Sequence, residues 1–215
     1  MKANNCTSLN GEELKMSTLL QINSSVFSDK GNSSTLSNEF VNSWLAKHPD
    51  GKVVVRDLAK NPIPHLDSNT VQAFFTPVES RTSEQQTIVN LSDTLIAELV
   101  NADAVVIGVP LYNFGVPSTL KAYFDQLARA GVTFKYTETG PVGLLADKPV
   151  HFIAARGGFH QGKTSDSQTS FLSSFFNFLG INSINYIYAE GLSINDAKDK
   201  SLTDARREIE QAAAA

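Results

Sequence analysis

Three separate stretches hold the residues best suited to binding chemistry. Residues 24–34 contain Ser24, Ser25, Ser28, Gly31, Asn32, Ser33 and Ser34 just ahead of a helical pattern. The unpaired N–H groups and positive dipole of a helix start suit a phosphate, and hydroxyls add donors without lysine. One dipole contact contributes only about 0.3–1 kcal/mol, so several donors must act together. Residues 24–34 contain neither G-x-x-x-x-G-K nor G-x-G-x-x-G, which favours a terminal monophosphate over a pyrophosphate there. A helix cap followed by a polar turn would use the same residues. Leu111-Tyr112-Asn113-Phe114 follows an unbroken apolar run and offers apolar faces, an amide and bare backbone, a surface suited to a flat heteroaromatic ring. In Arg156-Gly157-Gly158-Phe159-His160, paired glycines allow backbone to approach a ligand and aim N–H groups at negative charge. His160 is a candidate donor to the same ligand edge or to a substrate. A tight turn carrying an exposed histidine is the plainer alternative for that stretch.

The surrounding pattern supplies elements that would bring these stretches together. A strand over residues 17–23 runs into the serine-rich loop, and Leu36, Phe40 and Trp44 then repeat at helical spacing. A second strand, residues 52–58, ends before Asn61-Pro62-Ile63-Pro64, which breaks regular structure. Thr82 and Gln85 have capping-box spacing and open a long helix, with Ile88, Leu91, Leu95 and Leu99 as its expected buried stripe. The apolar run from Ala104 reads as a buried parallel strand. Pro117 can start the next helix, because its missing N–H is an unpaired donor there anyway, and Leu120, Phe124 and Leu127 point inward. Residues 133–139 look extended and are closed by Gly140-Pro141. Strands at 149–155 and 184–189 and helices at 166–179 and 196–213 complete the chain. Five strands alternating with helices predict an α/β fold, a doubly wound parallel five-stranded sheet of flavodoxin-like order 2-1-3-4-5. Its ligand crevice lies beyond the carboxyl ends of strands one and three, where all three stretches would converge.

Composition narrows the class. The 215 residues suggest one domain over 16–215, preceded by a polar, aperiodic segment, 1–15, expected to be a flexible extension. Hydrophobic residues at 41% and charged residues at 19% fit an ordinary globular chain. A net charge of -4 with no lysine–arginine block argues against nucleic acid. No apolar run has the length of a membrane span, and the start lacks a signal-peptide core. A single cysteine, Cys6, cannot form an internal disulfide, which points to a reducing cytoplasm. His48, His65, His151 and His160 have no cysteine or carboxylate at metal-ligand spacing, and no G-x-S-x-G elbow is present.

Several stretches together resemble the FMN-dependent NADH-azoreductases, flavodoxin-like quinone and azo reductases. They are Arg56-Asp57-Leu58-Ala59, Asn61-Pro62-Ile63-Pro64, Leu111-Tyr112-Asn113-Phe114, Lys121 with Tyr123-Phe124-Asp125, Ala128-Arg129-Ala130-Gly131-Val132-Thr133-Phe134, Gly140-Pro141 and Arg156-Gly157-Gly158. The resemblance runs from about Met16 to the C-terminus. It implies a homodimer with two FMN sites, and ping-pong transfer from NADH, with NADPH as a further donor, to quinones or azo compounds. It also implies that Ser25, Gly31, Asn32 and Ser33 hold the FMN phosphate, and that Leu111, Tyr112, Asn113 and Phe114 hold the ring and ribityl chain. Ala155, Arg156, Gly157 and Gly158 would meet the ring's polar edge, and Tyr136 and Phe178 would line the substrate side. No side chain is expected to be an essential acid or base, His160 being the candidate proton donor. The chain departs from the family pattern in three places. Gly31-Asn32-Ser33 stands where Ser-Gln-Ser is frequent, Ala155 where serine is frequent, and Phe75 where some relatives carry arginine. Two lost hydroxyls shift the expected phosphate contacts toward backbone N–H groups. A flavodoxin-type electron carrier serving a protein partner, or a flavin-free module on the same fold, are the rival readings.

Overall fold

A computed structural model describes residues 16–214, so the expected extension and Cys6 lie outside the described residues. Among the described residues, seven strands and six α-helices follow one another. The main elements are β1 (Thr18–Asn23), α1 (Asn32–Lys47), β2 (Lys52–Asp57), α2 (Ser68–Phe75), α3 (Ser83–Asn101), β3 (Ala104–Pro110) and α4 (Ser118–Leu127). They continue with β4 (Phe134–Thr137), β5 (Gly140–Gly143), β6 (Val150–Ala155), α5 (Ser167–Leu179), β7 (Ile184–Ala189) and α6 (Asn195–Ala212). The sheet order is β2-β1-β3-β6-β7 with every pairing parallel, which is the expected 2-1-3-4-5 arrangement once the separate hairpin β4–β5 is set aside.

Both faces of the sheet are covered, which explains the near-continuous apolar strands. On one face Leu20, Ile22, Val105, Ile107 and Phe152 pack with Leu95 and Leu99 of α3, Leu120 and Phe124 of α4, and Phe176 of α5. On the other, Leu19, Val106, Ile153 and Ile187 meet Leu36, Phe40 and Trp44 of α1 and Ile209 of α6. Each such side chain contributes about 1.5–3 kcal/mol by leaving water. Gly108, in the middle of β3, is required by close approach. A Cβ there would lie 2.8 Å from Ser37 Oγ and 3.1 Å from the Ser33 carbonyl oxygen, so glycine lets the start of α1 lie directly on the sheet.

The Thr82–Gln85 capping box forms at the start of α3, but the buried stripe is rotated from the expected one. Val89, Ser92 and Ile96 are buried beside Leu95 and Leu99, whereas Ile88 and Leu91 are only half-buried. That face also meets α2 and α4, and Ser92 Oγ donates to the Gln126 carbonyl oxygen of α4 at 2.6 Å. The short helix α2 is an element the sequence reading lacks; Asp67 caps it by accepting from the Thr70 N–H at 2.8 Å. The extended stretch after α4 turns back on itself, so Gly140 and Pro141 begin the return strand β5 instead of closing the excursion.

His151 sits at the amino end of the sheet, on the face covered by α1. Its ring lies 4.8 Å from that of Phe40, Asn185 is its polar neighbour, and His48 and Asp103 line the adjoining cavity. Burial lowers its pKa from 6.5 to about 4. A group whose folded pKa is depressed by burial in the neutral form costs stability as the unfolded chain gains its proton. Stability should therefore fall as pH drops from about 6.5 toward 4, by roughly 3 kcal/mol in all. Urea midpoints measured across that range should show the loss in the native chain and a flatter profile in His151→Gln.

Candidate functional site

β1, β3 and β6 are neighbours in the sheet, with Asn23 opposite Gly108 and Pro110 opposite Ala155, so their carboxyl ends finish side by side. The chain leaves β1 to one side and returns to β3 on the other, which opens a crevice at the switch point. Its volume is about 320 Å³, and Ser25, Gly31, Asn32, Ser33, Leu111, Tyr112, Ala155, Arg156 and Gly157 all line it. The three stretches singled out from sequence therefore meet at one place. Phe27, Leu192 and Ser193 line it too and were not anticipated. Leu192 and Ser193 belong to a fourth loop, after β7, and its position at another carboxyl strand end was the available signal.

One end of the crevice is rich in donors. Gly31 caps α1 without a side-chain bond, and the first helical bond runs from the Thr35 N–H to the Gly31 carbonyl at 2.9 Å. The N–H groups of Asn32, Ser33 and Ser34 consequently have no acceptor among the described residues. Ser33 Oγ is buried and likewise unpartnered. A Cβ at Gly31 would fall 2.2 Å from Ser25 Oγ, so the Ser25 hydroxyl occupies the space that a side chain at 31 would need. That hydroxyl also accepts from the Phe27 N–H at 3.2 Å and pairs with the Tyr112 hydroxyl at 3.2 Å. Ser24 Oγ donates to the Gly108 carbonyl at 2.6 Å, latching the loop to β3. Asp57, at the end of β2, accepts from Ser28 Oγ and from the Ala59 and Lys60 N–H groups. Burial alone would raise its pKa, but these bonds outweigh it and hold the carboxyl below its ordinary value.

The middle wall is a tight turn. Tyr112 and Gly115 exchange both backbone hydrogen bonds, and the two residues between them, Asn113 and Phe114, have φ of 49° and 62°. Asn tolerates that left-handed region, whereas Phe is strained there, and such a residue persists only where its surroundings hold it. Ser167 Oγ donates to the Phe114 carbonyl oxygen. Gln168 Nε2 donates to the carbonyls of Pro110 at 2.9 Å and Gly115 at 3.0 Å. Phe114 is itself 62% exposed, beside the crevice and not in its lining.

The far wall is the glycine loop after β6. Its carbonyls pair with the loop after β7, the Leu192, Ser193 and Gly191 N–H groups donating to Arg156, Gly157 and Gly158 respectively. The N–H groups of Gly157 and Gly158 have no acceptor among the described residues. Arg156 reaches the crevice lining, but its side chain turns inward and is fully buried. The guanidinium donates to Asp166 Oδ1 at 2.8 Å, Glu190 Oε1 at 3.1 Å, Gln168 Oε1 at 3.3 Å and Thr169 Oγ1 at 3.3 Å, and lies 5.0 Å from the Tyr188 ring centre. A charge out of water needs such partners, so its contribution to a ligand comes through backbone. Burial would raise the Asp166 pKa, but Arg156 and Thr169 outweigh it and keep the carboxyl below its usual range. Glu190 Oε1 also accepts the His160 and Gln161 N–H groups.

The remaining sequence candidates lie outside the crevice. His160 folds back over Gly158, with Nδ1 2.9 Å from Ser165 Oγ and its ring edge-on to Phe114 at 5.9 Å. Asn113 and Gly158 flank the lining without joining it. Tyr136 and Phe178 do not reach the crevice within one chain. Phe178 packs at 4.3 Å on Phe134 of the hairpin, and Tyr136, 75% exposed, stands edge-on to the same ring. Phe75 ends α2 at a separate hollow shared with Leu66, Phe74, Arg129 and Phe134.

Comparison with known proteins agrees with this architecture. A family described as having a flavodoxin-like fold matches residues 17–213. A Cellvibrio japonicus protein named FMN-dependent NADH:quinone oxidoreductase is 62% identical over 200 residues, 93% of this chain and 100% of that protein. A protein of the same name from Alcanivorax borkumensis is 52% identical, over 89% of this chain and 97% of its own length. Among solved structures, an azoreductase from Bacillus anthracis superposes with a TM-score of 0.85 at 29% identity, covering 93% of this chain and 99% of that one. An FMN-dependent NADH-azoreductase from the same species, solved in complex with FMN, gives 0.84 at 30% identity, covering 92% and 98%.

The buried Arg156 cluster makes a direct prediction. Arg156→Met leaves Asp166 and Glu190 without their counter-charge and should cost about 3–5 kcal/mol of stability. A drop in urea midpoint of that size checks it, and an unchanged midpoint would show that the cluster is dispensable.

Proposed function

We propose a specific activity for this chain on one established premise: it belongs to the flavodoxin-like fold family. The activity is transfer of electrons from NADH, through FMN, to quinones and aromatic azo compounds. The single observation that carries it is the crevice itself. It combines unpaired helix-start donors and a buried, unpartnered Ser33 hydroxyl at one end with an aromatic turn and free glycine N–H groups at the other. That donor set fits a molecule with a phosphate, a flat ring and an electron-rich edge. The printed names of the relatives at 62% and 52% identity give the same chemistry.

In this reading Ser25, the N–H groups of Asn32 and Ser33, and Ser33 Oγ hold the phosphate. Gly31 contributes by leaving room for the Ser25 hydroxyl, which compensates for the absent side chain at that position. Leu111 and Tyr112, flanked by Asn113 and Phe114, hold the ring and ribityl chain. Ala155 leaves space, and the Gly157 and Gly158 N–H groups favour negative charge at the ring's polar edge. When bound, FMN supplies hydride acceptance from NADH, with NADPH as a further donor, and electron delivery to the second substrate in alternating half-reactions. The protein's part is to bind, orient and shield.

The reading includes a homodimer. Its support is the exposed apolar surface of Leu66, Val71 and Phe75 around a hollow that Phe134 of the hairpin also lines, with exposed Tyr136 edge-on to that ring, since large exposed apolar patches mark interaction surfaces. Tyr136 and Phe178 would then line the substrate side of the partner's crevice. A cytoplasmic location belongs to the same reading; among the described residues no helix is long and apolar enough to cross a membrane.

Purified protein should be yellow, NADH should bleach it under anaerobic conditions, and a quinone should restore the colour. A colourless protein that ignores added FMN refutes the assignment, and bleaching only with a separate reductase makes it an electron carrier. His160→Ala should retain NADH–quinone turnover at every accessible pH, because the ring does not line the crevice and its Nδ1 is engaged with Ser165. A general acid contributes about 100-fold or more, so a loss of that size would make His160 the proton donor.

A further inference from the structure

Gln168 is fully buried, and each polar atom of its amide is used. Oε1 accepts from Arg156 Nε at 3.3 Å, and Nε2 donates to the carbonyls of Pro110 and Gly115 at 2.9 and 3.0 Å. The reversed amide would set an NH₂ group against a guanidinium and an oxygen against two carbonyls, so the network fixes its orientation. Those two carbonyls bracket the crevice turn, at the end of β3 and at the residue that closes the strained Asn113–Phe114 pair. The preceding residue, Ser167, holds the Phe114 carbonyl. Arg156 begins the glycine loop on the opposite wall. One amide at the start of α5 thus spans the two loops that no strand pairing joins beyond Leu111.

We propose that Gln168 is a positioning residue for the flavin: it sets the spacing between the 112–115 turn and the glycine loop, and so the width of the slot for the ring. This rests on the FMN reading above. Gln168 does not line the crevice. Its effect is transmitted through the carbonyls it holds and through Arg156.

Glutamate separates the two halves of the clamp, because Gln168→Glu keeps an acceptor for Arg156 but aims oxygen at both carbonyls. Gln168→Met removes all three bonds at similar volume. Ser167→Ala, at an exposed position, loosens the turn without disturbing the core and serves if either core variant fails to fold. Holoenzymes loaded with FMN would be diluted and release followed by flavin fluorescence, with the visible absorption band recorded before dilution. A lost buried hydrogen-bond set should speed release about fivefold or more in Gln168→Glu and Gln168→Met, and by a smaller factor in Ser167→Ala. The visible band should shift in both Gln168 variants. Wild type that retains FMN beside variants with unchanged release and unchanged band overturns the inference and leaves the functional reading intact. A lowered melting temperature with no change in either flavin signal also overturns it, since that is a purely structural role. Wild type that retains no FMN overturns the functional reading and the inference with it.

Discussion

A guanidinium cut off from water must be neutralised and hydrogen-bonded on every side, and the site end of this molecule is arranged around that requirement. Arg156 draws in Asp166 from the cap of α5, Glu190 from the end of β7 and Gln168 from the first turn of α5. Each partner has a second duty. Asp166 caps the helix by accepting from Thr169, Glu190 takes the N–H groups of His160 and Gln161, and Gln168 holds the turn after β3. Loops that would otherwise be independent are therefore mutually constrained. A cluster of this kind adds little net stability compared with apolar packing, but removing one member is costly. Its return is geometric.

The donor end is built differently, with little side-chain capping. Among the described residues, the start of α1 leaves three N–H groups and the buried hydroxyls of Ser33 and Ser34 without internal partners, an arrangement that folding alone does not favour. Ser25 fills the space left by Gly31, so a hydroxyl absent from the helix start is supplied from the loop before it. The two walls thus follow opposite rules. On one the buried Arg156 side chain has internal partners on every side, and on the other the helix-start donors have none among the described residues.

Most of the fold was legible because its signals are local. Continuous apolar runs marked the parallel strands, the Thr82–Gln85 spacing marked the start of α3, and alternation of strand and helix fixed the sheet order. The convergence of three loops followed from that order. What could not be read depended on distant partners. Arg156 beside two glycines looks like a ligand contact, and only Asp166 and Glu190, 10 and 34 residues away, decide that its side chain turns inward. The buried face of α3, which includes Val89 and Ile96, depends on neighbouring helices as well as on α3's own period, with Ser92 bonded to Gln126 of α4. The short α2 has only two turns to show a period and depends on Asp67 as its cap and on packing against α3. Tyr136 and Phe178 matched family positions, yet nothing in one chain brings them to the crevice.

Gly108 has a consequence that reaches beyond core packing. The backbone of α1 rests on a strand atom with no side chain to separate them, so the depth of a surface feature is gauged from the interior. A methyl group at that point would lift the helix start outward and tilt its donors relative to β3. No change made at the rim could undo such a displacement, because rim residues ride on the same helix or on loops anchored to the sheet. Sites of this type are tuned at their edges but calibrated from beneath.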